Sequence, residues 1–380
     1  RQDEDMYKSL RFFVFKNIPI EQQCSFKKWS DLMNRVYAVN DNGKWAIIYA
    51  VMCAFRSDIW PIGRLFTALF FVGPTMSGKT QVAISIRSLY IDPDMPVFNL
   101  NTGTDAAMSS LMGSYRDVPQ VLDEYNNKDI TDYKFQALKS ITYDGDGKQK
   151  RRSTSGKDID IDEVFAPVVI LGQETPQRDD NALMNRVVIC EVPKKTEAFT
   201  QEEMTIFQEL KNYEKNGLSN ILLEILKLRP VVRKEIKKYM REINKDITKS
   251  IIGSGNASGD LTRIINTISL FLSMCKLIEE KAPEMELPFT YEEFYAIACK
   301  KVISQVEMIT RSDKLAIFFK AMEVMINTKT IIEGRDYDID QPDKLTIKMS
   351  GNERTEIPLS AGTKVLYLRL SNIFTMFARS

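Results

Sequence analysis

The sequence predicts an α/β fold built on a parallel sheet, with a phosphate-binding loop at the carboxyl end of one strand. An apolar run, LFTALFFV at 65–72, is followed by the glycine-rich segment GPTMSGKT and then by QVAISIRSLY, whose apolar residues have helical spacing. Two later apolar segments, VPQVLDEY and APVVILGQETP, end in polar side chains. Strand, loop and helix in this order are the context that a working P-loop requires.

The composition is that of a globular protein with two or three domains: 380 residues, of which 44% are hydrophobic and 27% charged. The absence of histidine excludes imidazole as a base, nucleophile or metal ligand. Five scattered cysteines without a C-x-x-C pair argue against a zinc site and a disulfide framework. With no signal peptide and no membrane contact expected, we predict a cytoplasmic protein. The first residue, Arg1, suggests a fragment of a longer chain.

The segment GPTMSGKT satisfies the pattern G-x-x-x-x-G-K-[ST]. Glycines let the backbone curl so that its N–H groups, with the helix N-terminus, hold phosphate oxygens. Lys79 would then reach the β- and γ-phosphates, and Thr80 would offer its hydroxyl to Mg²⁺. The alternative, a surface turn, is disfavoured by the apolar strand before it. We therefore predict ATP and Mg²⁺ as ligands, with nucleotide contacts from Gly73, Pro74, Thr75, Met76, Ser77, Gly78, Lys79 and Thr80.

Polar side chains follow the next two predicted strands. Asp123 and Glu124 come directly after the apolar segment 118–122, and carboxyl ends of strands are where open α/β sheets bind ligands. We expect Asp123 to hold Mg²⁺ beside the nucleotide and Glu124 to polarise water for attack on the γ-phosphate. The third strand ends at Gln173, from which a side chain can reach the γ-phosphate or the attacking water.

GPTMSGKT, VLDEY, a strand ending in a polar residue and the segment ALMNRVVICEV together resemble the core of superfamily-3 helicases, the AAA+ ATPases of small DNA viruses. The chain is also similar to the ATPase regions that follow primase domains in phage and bacterial mobile-element replication proteins. The resemblance covers about residues 45–195. It implies an ATP-hydrolysing DNA helicase or translocase that acts on a single strand or fork as a homo-oligomeric ring, expected to be a hexamer, with a primase domain upstream.

The resemblance also assigns roles to three residues. The family's polar sensor after the third strand is usually Asn, and Gln173 departs from it while keeping the amide. The family's arginine finger follows about a dozen residues later, which matches Arg186, thirteen residues beyond Gln173, with Arg178 as the alternative. AAA+ proteins often place a sensor-2 arginine in a later helix, where Arg263 is the candidate.

Segment 143–163 predicts a β-hairpin, with KQKRRS and DIDID as its strands and Thr154-Ser155-Gly156 as its turn. Superfamily-3 helicases carry a hairpin at this point, which projects into the ring's pore and grips the DNA backbone. The predicted phosphate contacts are Lys148, Lys150, Arg151, Arg152 and Lys157. The alternative is a solvated basic loop. Because the net charge is only +1, any contact with nucleic acid must be local.

Four regions are predicted along the chain: a helical collar at 1–60, the α/β AAA+ ATPase at 61–195, a helical domain at 196–312, and a small winged-helix-like α+β domain at 313–380. The last region is predicted from a helix beginning at 313 (DKLAIFFKAMEVMIN), two strands in the alternating runs KLTIKM and VLYLRL, and the start of a final helix. The basic stretch 229–249 has helical spacing and predicts an amphipathic helix with a solvated face. Two competing functions remain open. One is an AAA+ switch or remodeller that moves a protein partner without touching DNA. The other is an assembly module with a degenerate ATP site, against which the intact Lys79 and Glu124 argue.

Overall fold

The computed structural model describes residues 18–63, 65–140, 148–151, 159–162, 164–176, 181–252, 259–348, 354–359 and 362–377. Two compact units divide the chain, one ending at Ile309 and the other beginning at Thr310. The four regions expected from the sequence stay a prediction, although the described helices before residue 60 share one hydrophobic core with the sheet.

The strands of the first unit are β1 Ala68–Val72, β2 Phe98–Asn99, β3 Gln120–Tyr125, β4 Lys148–Arg151, β5 Ile159–Asp162, β6 Val168–Gly172 and β7 Val187–Glu191. Five of them form a parallel sheet in the order β2-β3-β6-β1-β7. Every residue of β1 and β6 is buried, as expected for a parallel sheet covered on both faces. The predicted α/β fold is confirmed.

The helices of the first unit surround this sheet. They are α1 Phe26–Val36, α2 Asn42–Cys53, α3 Arg56–Gly63, α4 Lys79–Arg87, α5 Asp105–Ser114, α6 Asp132–Lys139, α7 Gln201–Asn216, α8 Ser219–Leu226, α9 Arg229–Ile252, α10 Gly259–Lys281 and α11 Tyr291–Asn327. The last of these, α11, begins in the first unit and continues past Ile309 into the second. Every residue of α2 except Lys44 is buried. Its Tyr49 hydroxyl donates to the carbonyl of Val168 at 2.6 Å and accepts from the same residue's N–H at 3.1 Å. This pair of bonds anchors α2 to the start of β6.

Helix α10 contains a segment, Leu261–Lys281, that is long and apolar enough to cross a membrane by length and composition alone. In the structure 72% of its most apolar stretch is buried. It packs against α2, α9 and β7. Phe271 of α10 meets the ring of Trp45 edge-on, with centroids 5.1 Å apart. The apolar character of α10 is therefore explained by its place in the core.

Strand β7 is at one end of the sheet, so half of its backbone groups have no neighbouring strand. Side chains of α11 take that place. The buried Gln305 amide donates to the carbonyls of Met184 at 2.7 Å and Val187 at 2.8 Å, and its oxygen accepts from Ile189 N at 3.2 Å. Lys301 donates to the carbonyl of Ile189 at 3.0 Å. Two side chains of α11 thus provide the hydrogen bonds that a neighbouring strand would make with the outer edge of β7.

The second unit contains β8 Tyr337–Asp340, β9 Lys344–Lys348, β10 Arg354–Pro358, β11 Val365–Leu368 and α12 Leu370–Phe377. Strands β8 and β11 pair antiparallel, as do β9 and β10. The predicted strands near 344 and 365 and the final helix are confirmed as elements, whereas β8 and β10 were not predicted. The helix expected from 313 is the C-terminal part of α11, which begins at Tyr291. The winged-helix assignment stays a prediction.

Candidate nucleotide-binding site

The loop 73–78 joins the end of β1 to the start of α4, so strand, loop and helix follow in the predicted order. Gly78 has φ +94°, a left-handed conformation that side chains rarely adopt. A Cβ on Gly73 would lie 2.0 Å from the carbonyl oxygen of Val192, so no larger residue fits there without movement of the backbone. The N–H of Gly73 donates to the carbonyl of Gly172 at 3.1 Å. Both glycines are therefore required by the geometry of the loop.

Lys79 extends its ammonium group into this loop. Its side chain is buried, and Nζ donates to the carbonyls of Gly73 at 2.6 Å and Pro74 at 2.7 Å. Burial lowers the pKa of Lys79, while the charges of Asp123 and Glu124 act in the opposite direction. Hydrogen bonds to an anion are roughly twice as strong as those to neutral groups. A bound phosphate would therefore stabilise this buried cation better than the two carbonyls do.

Thr80 and Asp123 provide two oxygen atoms next to the loop. The Thr80 hydroxyl lies 3.4 Å from Oδ2 of Asp123, and Oδ1 accepts from the N–H of Glu124 at 2.7 Å. Asp123 is near the carboxyl end of β3, separated from β1 only by β6. Hydroxyl and carboxylate oxygens are ligands that suit Mg²⁺. The residues present therefore fit the metal that the P-loop pattern implies.

Glu124 is held in an unusual backbone conformation. Its φ is +64°, and the register of β3 against β6 shifts between Leu122 and Tyr125. Its side chain is exposed. A non-glycine residue in this region is strained by about 1–3 kcal/mol, and such strain concentrates at functional sites. Bulges of this kind also change the direction of a side chain next to an active site.

Gln173 follows β6 at the same edge of the sheet and is exposed. Its neighbour Glu174 accepts from the N–H of Asn127 at 2.7 Å, and the Asn127 side chain donates to the carbonyl of Thr175 at 2.9 Å. These bonds connect the end of β6 to the loop after β3. No sequence motif predicted this role of Asn127, because its two partners, Glu174 and Thr175, lie 47 and 48 residues further along the chain.

Arg186 lies at the opposite edge of the sheet from the P-loop. It directly precedes β7, which runs parallel to β1, and its carbonyl accepts from the hydroxyl of Thr67 at 2.9 Å. Its Nη1 donates to the carbonyl of Ala182 at 2.9 Å. A five-residue strand is roughly 16 Å long, so Arg186 is not brought to the P-loop of its own chain. Arg178 lies outside the described residues.

Arg263 is exposed near the start of α10. Among the described residues, α10 packs mainly against α2, α9 and β7, and the P-loop helix α4 is not one of its main neighbours. The sensor-2 role of Arg263 stays a prediction.

The predicted hairpin pairing is confirmed for the described part of segment 143–163. Strands β4 and β5 are antiparallel, with Lys150 opposite Asp160 and Lys148 opposite Asp162. Arg152, Lys157 and the predicted turn lie outside the described residues. Contact of this hairpin with DNA stays a prediction.

Comparisons with known proteins agree with this architecture. No protein-family model and no curated protein matches the chain. A solved structure of the SCCmec type IV Cch, described as an active helicase, matches 83% of this chain with a TM-score of 0.57 and 12% identity. The chain spans 60% of the length of that structure. At this identity the likeness shows a shared fold alone.

Two further solved structures match at lower TM-scores. The JCV helicase has a TM-score of 0.31 at 15% identity, covering 64% of this chain and 70% of that chain. The C-terminal region of NrS-1 has a TM-score of 0.29 at 13% identity, covering 71% of this chain and 68% of that chain. Neither similarity is high enough to carry a conclusion.

Proposed function

We propose that the protein is a AAA+ ATPase of the superfamily-3 type, a DNA helicase or translocase that serves replication of a phage or mobile genetic element. The observation that carries the proposal is the group formed by buried Lys79, Thr80 and Asp123 at the carboxyl edge of the sheet. A cation enclosed by a glycine-dependent loop, next to two oxygen ligands, is suited to a nucleoside triphosphate with its metal. The fold shared with the Cch helicase agrees with this chemistry.

Each residue of the site has a distinct task in ATP hydrolysis. Lys79 and the loop N–H groups bind the phosphates, and Thr80 and Asp123 would hold Mg²⁺. The metal supplies positive charge that stabilises the charge developing on the transferred phosphoryl group. Glu124 accepts a proton from the attacking water, and the amide of Gln173 orients that water. Glu124 suits this task because its exposed carboxylate directly follows the metal ligand Asp123.

The position of Arg186 supports a ring. It precedes β7 at the edge of the sheet opposite to the P-loop, so its own nucleotide is out of reach. In a head-to-tail ring, the surface with Arg186 would face the P-loop of the next protomer, where an arginine stabilises the γ-phosphoryl charge in trans. We therefore propose a homo-oligomer, expected to be a hexamer, in which hydrolysis depends on assembly.

The test is ATP hydrolysis with and without single-stranded DNA. Wild-type protein is expected to hydrolyse ATP faster when DNA is present, and Lys79→Ala to bind no nucleotide. Glu124→Gln is expected to bind ATP but to hydrolyse it at a rate lowered by a factor of about 100 or more, since a general base contributes at least that much. Glu197→Gln, which removes an exposed carboxylate after β7, is the matched control and should keep the wild-type rate.

Two outcomes would contradict the proposal. Hydrolysis by Glu124→Gln at the wild-type rate would show that the assignment of Glu124 is wrong. Hydrolysis that is unaffected by DNA, in a protein that binds none, would instead favour the alternative function, an AAA+ switch or remodeller acting on a protein partner.

A further inference from the structure

Helix α9 has a strongly basic face directly opposite its buried face. Val232, Ile236, Tyr239, Ile243 and Ile247 are buried at helical spacing. The exposed basic residues of α9, which we call the basic ridge, are Arg233, Lys234, Lys237, Lys238, Arg241, Lys245 and Lys249. Because successive residues are rotated by about 100° around a helix, most of the ridge lies on the side away from the core. The ridge is therefore free to meet another molecule.

The seven basic residues of the ridge outnumber the three acids of the same stretch of α9, which are Glu235, Glu242 and Asp246. Arg233 contacts Asp58 at 2.6 Å, and Lys234 lies 3.9 Å from Glu235. Among the described residues no ion pair joins the other five ridge residues to a carboxylate. Several are like-charged neighbours at i,i+4, as in Arg241 and Lys245, an arrangement that destabilises a helix. Since the whole chain carries a net charge of only +1, this concentration of charge is local and suits an anionic partner.

A cavity lies beside the C-terminal end of the ridge, between α9, α10 and the start of α11. Its volume is about 540 Å³, and Lys249 of the ridge forms part of its wall. The half-buried rings of Tyr291 and Tyr295 also line it, with centroids 5.9 Å apart. The Tyr295 hydroxyl lies 3.2 Å from that of Ser250, which holds the ring in place. Aromatic walls of this kind accept planar groups.

The same cavity contains charges of both signs. Lys276 lies over the ring of Tyr291, with Nζ 5.4 Å from the ring centroid, and Asp246 and Glu292 complete the lining. Two carboxylates disfavour a bare phosphate inside the cavity. Carboxylates can instead accept hydrogen bonds from the amino and imino groups of a nucleobase. The ridge is thus suited to phosphates and the cavity to a base.

We propose that the basic ridge binds the sugar-phosphate backbone of single-stranded nucleic acid, and that one base of the strand enters the cavity against Tyr295. From Lys234 to Lys249 the ridge is about 22 Å long, which is enough for several nucleotides. Basic surfaces with aromatic side chains bind single strands without sequence preference. This inference rests on the proposed action on DNA, and it adds a contact surface that is separate from the predicted hairpin.

The ridge is tested by the triple variant Lys238→Gln, Arg241→Gln and Lys245→Gln, with a fluorescent oligothymidylate as the probe. Each phosphate contact contributes about 0.7 to the slope of log affinity against log salt for single strands. We expect the slope to fall by about 2 and the affinity to fall at least tenfold in 0.1 M salt. The control Lys281→Gln, Lys320→Gln and Lys329→Gln removes the same charge from exposed positions elsewhere. Equal affinities and slopes for the two variants would overturn the proposal.

The cavity is tested by Tyr295→Ala against Tyr295→Phe. Loss of the ring should weaken single-strand binding about fivefold or more and leave duplex binding unchanged, whereas phenylalanine keeps the ring and should keep the affinity. Wild-type affinity of Tyr295→Ala would overturn the assignment of the cavity. A ridge variant that loses binding to phosphatidylserine vesicles but keeps DNA binding would assign the ridge to a membrane surface instead. A wild-type protein that hydrolyses ATP but binds no DNA would contradict the proposed function itself.

Discussion

Gln305 offers a sharp test of how the edge of the sheet is stabilised. Its side chain is 2% exposed and makes three hydrogen bonds to the backbone around β7. Gln305→Leu keeps the approximate volume but leaves the carbonyls of Met184 and Val187 and the N–H of Ile189 without this partner. Each buried backbone group left unsatisfied costs about 1–3 kcal/mol. Allowing for the apolar gain of leucine, we expect the free energy of unfolding to fall by about 3 kcal/mol or more.

The measurement is urea unfolding followed by tryptophan fluorescence. Trp29, Trp45 and Trp60 all precede Ile309, so the signal reports the unit that contains Gln305. The matched control is Ser304→Ala, one position earlier on the exposed side of α11, which should change the unfolding free energy by less than about 0.5 kcal/mol. A loss of less than 1 kcal/mol for Gln305→Leu would refute the view that this amide replaces a neighbouring strand.

Two further predictions concern assembly and pH. Arg186→Ala is expected to bind ATP but to hydrolyse it poorly. Mixing it with Lys79→Ala should restore some ATPase activity, because the Lys79→Ala protomer supplies the arginine and the Arg186→Ala protomer supplies an intact ATP site. Zero activity in rings shown to contain both variants would contradict an action in trans. The pKa of Glu203 is lowered to about 2, chiefly by its bond to Lys195 and then by the N–H of Thr200. The stability that the ionised Glu203 adds to the folded state is therefore present above about pH 4.5 and is lost as the pH falls towards 2. The unfolding midpoints of wild type and Glu203→Gln should differ at pH 6 and converge near pH 2.

The P-loop could be predicted from the sequence because all its requirements are local. Gly73, Gly78 and Lys79 belong to one eight-residue segment, and the buried strand before it is a continuous apolar run. Neighbouring strands matter only at Gly73, which contacts Gly172 at the end of β6 and Val192 directly after β7. Asp123 was predictable for a related reason, since a carboxylate after an apolar strand lies at the edge where ligands bind.

Gln305 was not predictable in the same way, because its partners lie more than 110 residues earlier in the chain. A signal is nevertheless present in the sequence. Ala298, Val302 and Ile309 are buried on one face of α11, and Gln305 occupies that face at helical spacing. A polar residue at a core position of an amphipathic helix must find buried partners. The sequence shows this requirement but not where the partners lie.

The thirteen-residue spacing between Gln173 and Arg186, which suggested the arginine finger, has a simple origin in the fold. Gln173 follows β6 at the carboxyl edge of the sheet, and Arg186 precedes β7 at the amino edge. Because both strands run parallel to β1, the chain between them must return along the whole length of the sheet. A separation of this size is therefore required by the topology whether or not Arg186 is catalytic. Support for its role in trans comes instead from the edge on which it lies, and the mixing of Arg186→Ala with Lys79→Ala tests that role independently of the spacing.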